Sequence, residues 1–291
     1  MKVDKFRTVI IYIIIILLGL VCLLPLLNIV AISFSSSAAV EGNMVGLIPV
    51  GFSTAAYEKI LEDSQFWHSF LISVERVVLT LIINFVLIVL MAYPLSKTNA
   101  QFRGRNVYAN LMIFAMLFNG GMIPTFLLVK SYGLLNTVWA LVLPGAVPIF
   151  NVILVMNFFA AVPKELEEAA FIDGANPLQV LTKIFIPISK PVLATVSLFS
   201  IVGSWNDFYS GLIYMSKAAY YPLMTYIQSL QINVEDLIKQ GNLSAVVNSA
   251  SLGNTNLNAA KIVVAVIPLL LIYPLLQRYF VSGIVVGSVK G

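Results

Sequence analysis

The sequence predicts an all-α membrane protein: six transmembrane helices with both termini on the cytoplasmic side, in one domain over residues 1–291. Three observations predict it. Hydrophobic residues make up 59% of the chain and charged residues 10%, whereas soluble domains carry about a quarter of their residues as charges. Six apolar runs, each near the length that crosses a hydrocarbon core, account for much of the chain. None of the runs alternates with the period of two that a membrane barrel requires, so the backbone must satisfy itself helically.

The first run, residues 9–33, follows a basic start and is too long for a signal-peptide core. It is expected to be a retained span. The others cover 71–95, 107–129, 138–160, 192–214 and 260–279. Pro25, Pro124, Pro144, Pro148, Pro268 and Pro274 fall inside these runs and predict kinks packed against neighbouring helices. The lone Cys22 supports no intramolecular disulfide, and the lone His68 excludes a histidine metal cluster.

Lys and Arg set the orientation. The amino terminus, the loops after the second and fourth runs, and the carboxyl terminus hold 11 of them, and the opposite loops, with Arg76 and Lys261 counted among them, hold 6. The richer side is expected to be cytoplasmic. The two longest connections, 35–69 and 215–259, then lie outside. The second is rich in Asn, Ser and Gly, and its length favours a contact role over a plain connector.

The stretch EEAAFIDGANPLQVLTKIFIPISKP, residues 167–191, differs from everything around it. Pro163 suits the first turn of a helix, and Glu165, Glu167 and Glu168 suit its positive end. Gly174 is expected to end that helix, and Asn176-Pro177 to cap and start a second. Residues 163–186 thus form two short helices joined at a glycine turn, exposing a patch of small residues, Ala169, Ala170, Gly174 and Ala175. Such an element either docks another protein or rests on the bilayer as an interfacial helix. Its acidic first half and its lack of Trp favour docking.

The run Glu168-Ala169-Ala170, three residues, Gly174, then Ile184-Phe185-Ile186-Pro187 resembles the EAA motif of ABC importer permeases, with Ile186 where Leu is usual. Asp173-Gly174-Ala175 and Pro191 resemble its carbohydrate branch, and Gly203-Ser204-Trp205-Asn206-Asp207-Phe208 resembles a tract in the fifth span of the maltose-type second permease. The resemblance extends over the whole chain. It implies the type I importer permease fold in a bacterial-type cell membrane, and a transport subunit that is not itself an enzyme. Implied partners are a sister permease, two cytoplasmic ATPase subunits, an extracytoplasmic solute-binding protein, a sugar substrate and membrane lipid; nucleic acid is not among them. Glu168, Ala169, Ala170, Phe171, Asp173, Gly174 and Ala175 would couple to the ATPase. The loop 215–259 would reach the binding protein. No phosphate loop of the form G-x-x-x-x-G-K-[ST] occurs, so no cofactor is expected in this chain, and ATP and Mg would be bound by the partner ATPase.

Charge at membrane depth is costly and faces a cavity or a partner. Asp207 is the acid placed well inside a predicted span, and with Trp205 and Asn206 it is a candidate for sugar contact, for an interfacial position, or for gating. Asn84, Asn119, Asn151 and Asn157 are polar positions within spans, either interhelical contacts or part of a substrate path. Trp139 is expected to be an interface anchor. The leading functional reading is an importer permease for an oligosaccharide, and the runner-up an importer permease for a polyol or glycerol phosphate. An ion-coupled secondary transporter would favour paired halves with matched discontinuous helices, which the chain lacks.

Overall fold

The computed structural model describes residues 5–118, 120–230 and 255–287, and all regular elements among them are helical. They divide into two compact units. One comprises residues 1–68 with 226–268, the other 69–225 with 269–291.

The first unit opens with α1 (Lys5–Ser33), whose apolar side chains are exposed from Val9 to Leu27. A helix apolar on all sides and uncovered by its own chain is a lipid-facing span. Two short helices follow, α2 (Ser37–Glu41) and α3 (Ala55–Glu62). Asp63 ends α3 and gathers three donors: the Phe66 N–H at 2.9 Å, the Tyr226 hydroxyl at 2.9 Å and Lys261 Nζ at 2.7 Å. Burial works against the charged carboxylate, but these three donors outweigh it and hold Asp63 below its usual 3.8. Lys261, expected in an outer loop, is instead buried inside the last helix, α14 (Thr255–Gly287).

The second unit contains most of α4 (Ser64–Leu95), then α5 (Arg105–Leu117) and α6 (Met122–Ser131). Pro124 sits in the first turn of α6, where a main-chain N–H would have no intrahelical partner, so it starts a helix and interrupts none. α7 (Val138–Val142) passes through a 3-10 turn at Leu143–Gly145 and bends by 47° into α8 (Ile149–Ala160). Pro144 and Pro148 remove the donors that would have continued the helix.

Next come α9 (Lys164–Ile172), α10 (Pro177–Val180), a π-helical turn at Leu181–Phe185 and α11 (Ile186–Ile188). An 84° bend at Ser189 leads into α12 (Lys190–Asn206). The fifth predicted span, 192–214, is therefore interrupted. α12 stops at Asn206, Asp207 is extended, and α13 (Tyr209–Tyr214) resumes. A Cβ at Gly211 would collide with the Thr225 side chain, so only glycine allows α13 this close to that segment.

The core of this unit joins Ile88, Val89 and Ala92 of α4, Val152, Val155 and Phe159 of α8, Phe185 of the π turn, and Val192 and Val196 of α12. Among the described residues, three helices are long and apolar enough to cross a membrane: Thr8–Ser33, Ser64–Leu95 and Thr255–Pro274. Counting each bent pair as one span brings the total to as many as six.

Candidate functional site

The α9 element is built outward from one buried carboxylate. Glu167 is buried on the inner side of α9, where it accepts hydrogen bonds from Lys97 Nζ at 2.8 Å and from the Tyr93 hydroxyl at 3.3 Å. Lys97 also lies over the rings of Tyr93 and Phe185, 4.1 and 4.2 Å from their centroids. Burial pushes the Lys97 ammonium below its usual 10.5, and Glu167 offsets part of that cost. Phe185 packs edge-on against Tyr93 and Phe159. The end of α4, α9 and the π turn are thereby tied into one body.

Most of the rest of α9 and its turn is bare. Glu168, Ala169, Phe171, Ile172, Asp173 and Gly174 are exposed, Ile172 to 86%, while Ala170 and Ala175 are half-buried. Leu166 and Leu178 extend the apolar surface. The turn is closed by main-chain bonds from Gly174 to Phe171 (3.1 Å) and from Ala175 to Ala170 (2.9 Å), with Gly174 at φ +82°. This is the αL ending that glycine permits. Asn176 caps α10 reciprocally with Gln179, both bonds at 2.9 Å, as the sequence predicts. Pro163 stands one position earlier than expected, at the cap and not in the first turn.

A second site lies along α4. Arg76, Thr80 and Asn84 are spaced by four residues, so they share one helix face, and all three are buried. They line a cleft of about 220 Å³ together with Asn151 of α8, Ser200 and Ser204 of α12, and Asp207. Arg76 donates to the Asp207 main-chain oxygen at 3.0 Å and to its carboxylate, and the Ser210 N–H donates to the same carboxylate at 3.1 Å. Asn84 Nδ2 donates to Ser200 Oγ at 3.2 Å. Among the described residues, three polar atoms on the stripe have no hydrogen-bond partner: Arg76 Nε, Thr80 Oγ1 and Asn84 Oδ1. Each costs about 1–3 kcal/mol if kept dry.

Of the predicted path residues, Asn151 and Asp207 line this cleft. Trp205 is 5% exposed and packs edge-on against Phe70 at 5.6 Å, so it offers no stacking platform. Asn206 and Asn157 are exposed and lie outside the cleft lining, and Asn119 lies outside the described residues. Sequence reasoning assigned Arg76 to an outer loop and overlooked Thr80. Arg76 is in fact inside α4. The signal is present as three polar residues at i, i+4, i+8 in the stretch 76–84, whose other residues are all apolar.

Residues 2–286 match the family model described as "Binding-protein-dependent transport system inner membrane component". The chain is 40% identical over 288 residues to the polygalacturonan/rhamnogalacturonan transport system permease protein YtcP of Bacillus subtilis, covering 99% of both chains. It is 40% identical over 273 residues to protein LplC of the same organism, covering 94% of this chain and 91% of that one. Among solved structures, a chain of a bacterial ABC transporter involved in the import of the acidic polysaccharide alginate superposes with a TM-score of 0.83 at 33% identity, over 96% of this chain and 98% of that one. A match that runs nearly end to end, on a helical frame carrying the Glu168-Ala169-Ala170 element, makes this chain a member of the family of inner-membrane components of binding-protein-dependent ABC transport systems.

Proposed function

We propose that the chain is one of two permease subunits of an ATP-driven, binding-protein-dependent importer of an oligosaccharide or related sugar. The observation that carries this reading is the exposed α9 face, Glu168 to Gly174, backed by the ion pair of the buried Glu167 with Lys97. The relatives named for polygalacturonan and alginate transport support the sugar class. An apolar surface rimmed by charge, outside the bundle, suits a protein partner. That partner is the ATPase. The chain crosses the membrane six times with both termini in the cytoplasm, as one permease domain. A sister permease completes the path, and a solute-binding protein delivers the substrate. Residues 231–254 of the loop assigned to that delivery lie outside the described residues.

We infer a route from ATPase to path from the contacts of α9. A push on α9 reaches α4 through Glu167, Lys97 and Tyr93, and reaches α12 through Phe185 and the core it shares with Val192 and Val196. α4 carries the polar stripe about 14 Å further along, nine residues from Tyr93 to Asn84 at 1.5 Å each. Closure of two ATPases would rock α4 and α12 together and open the cleft alternately to the two sides. An importer for a polyol or glycerol phosphate would use the same route.

Affinity purification of the tagged chain from native membranes in mild detergent tests the reading. Mass spectrometry should recover a sister permease and an ATPase carrying a phosphate loop, and Glu168→Lys should deplete the ATPase alone. Purification of the chain without either partner would overturn the proposal.

A further inference from the structure

The stripe on α4 has a chemistry of its own. Arg76 spends two donors on Asp207, and its positive charge is matched by that carboxylate. No other Lys, Arg, Asp or Glu lines the cleft. Among the described residues, the Nε of Arg76 (a donor), the hydroxyl of Thr80 and the Oδ1 of Asn84 (an acceptor) have no hydrogen-bond partner. Four buried side-chain polar atoms lack a partner among the described residues, and three of them are on this one stripe. They are spread over eight residues of helix, about 12 Å. A hydroxyl group both donates and accepts, so a row of hydroxyls complements a donor, a hydroxyl and an acceptor set along a line. A carboxylate only accepts. The Arg76 charge that would draw it is already matched by the Asp207 carboxylate, so the wall gains nothing from it over a hydroxyl. The cleft, about 220 Å³, is smaller than pockets that enclose a ligand, which run from roughly 300 Å³. It is therefore one wall of a site.

We propose that Arg76, Thr80 and Asn84 form a hydroxyl-reading wall of the transport path, and that this wall does not discriminate neutral from acidic sugars because the charge of Arg76 stays committed to Asp207. The inference rests on the sugar-importer reading above and deepens it. Recognition of a uronic acid's charge would then belong to other components of the system.

The test uses the intact importer in membranes with its binding protein and ATP. Cys22 is the only cysteine, so Cys22→Ser gives a background in which Thr80→Cys or Asn84→Cys provides a single reporter. Labelling by a water-soluble maleimide is followed with galactobiose or digalacturonate, which differ in their carboxylates. Both sugars should abolish labelling to the same extent. In parallel, Thr80→Val and Asn84→Leu should each lower uptake of both sugars by about five-fold, the loss of one neutral hydrogen bond. A thiol that reacts but is protected by neither sugar would reduce the cleft to a water-filled packing defect. An unreactive thiol would make it dry. Protection by digalacturonate alone would make it a charge reader. Each of these overturns the proposal while wild-type uptake leaves the sugar reading standing. Absence of uptake of either sugar by the wild type would overturn the sugar reading and this proposal with it.

Discussion

At the α9 end, the buried charges are satisfied and the apolar side chains are bare; in the α4 cleft, the main chain is covered and the polar atoms are bare. Glu167 has Lys97 and Tyr93, yet Phe171 and Ile172 next to it face outward. Arg76, Thr80 and Asn84 are each at least nine-tenths buried, yet one polar atom on each has nothing to bond. The difference separates two kinds of partner. Bare apolar surface anchored on a rigid base suits a folded protein, which supplies the burial. Bare polar atoms in an enclosed space suit something hydroxylated, whether water or sugar. One helix, α4, serves both ends.

The largest expected effect separates the two regions outright. Phe171→Asp places a charge in the exposed apolar face proposed to dock the ATPase, and a central anchor of such an interface is worth at least about 2 kcal/mol, or roughly 30-fold in affinity. ATPase recovered with the purified chain should fall by that factor, while the melting temperature of the permease stays unchanged.

Lys97→Met tests whether the base under that face is as important as the face. It leaves Glu167 buried without its cation, which costs about 3 kcal/mol. Thermal unfolding in detergent should show the loss, and adding Glu167→Gln to the same chain should recover most of it. If the single variant melts like the wild type, α9 is held by packing alone.

Asp207→Asn acts at the other region. It frees the charge of Arg76 in the cleft without touching α9, so uptake should fall about ten-fold while ATPase recovery is unchanged. It also sharpens the charge argument: with Arg76 released, carboxylated sugars should gain relative to neutral ones. An unchanged ratio would show that Arg76 does not face the transported solute.

The smallest effect calibrates the other three. Asp63 is fully partnered and belongs to neither region. Its carboxyl titrates below the ordinary value of 3.8 in the folded protein. Its contribution to stability is therefore complete above about pH 4 and is lost as pH falls through the lower, folded value. Melting curves measured downward from pH 5 should show this loss, and Asp63→Asn should flatten it.

Much of this was legible in the residues. The glycine-broken element and its Asn176 cap are local features, governed by spacing and propensity, and they appear as the sequence predicts; the apolar runs fall on helices, but the third, fourth and fifth are each split into two. The interruption of the fifth span at Asp207 was not legible, because it depends on Arg76, 131 residues away in the chain. The same long-range pairing hid the cleft. Arg76 and Lys261 read as loop cations when counted for orientation, since composition does not reveal that each is buried against a carboxylate. Trp205 was singled out by its motif, and Thr80 passed over for lack of one; only packing distinguishes the aromatic that is core from the hydroxyl that lines the cleft.

The most direct test of the division between the regions is a paired measurement on Phe171→Asp and Asn84→Leu in proteoliposomes: ATPase retained per permease, and sugar uptake, in the same preparation. The account predicts that Phe171→Asp loses both, whereas Asn84→Leu keeps its full complement of ATPase and loses about five-fold in uptake. Retention of the ATPase by Phe171→Asp, or its loss from Asn84→Leu, would contradict the assignment of docking to α9 and of the path to α4.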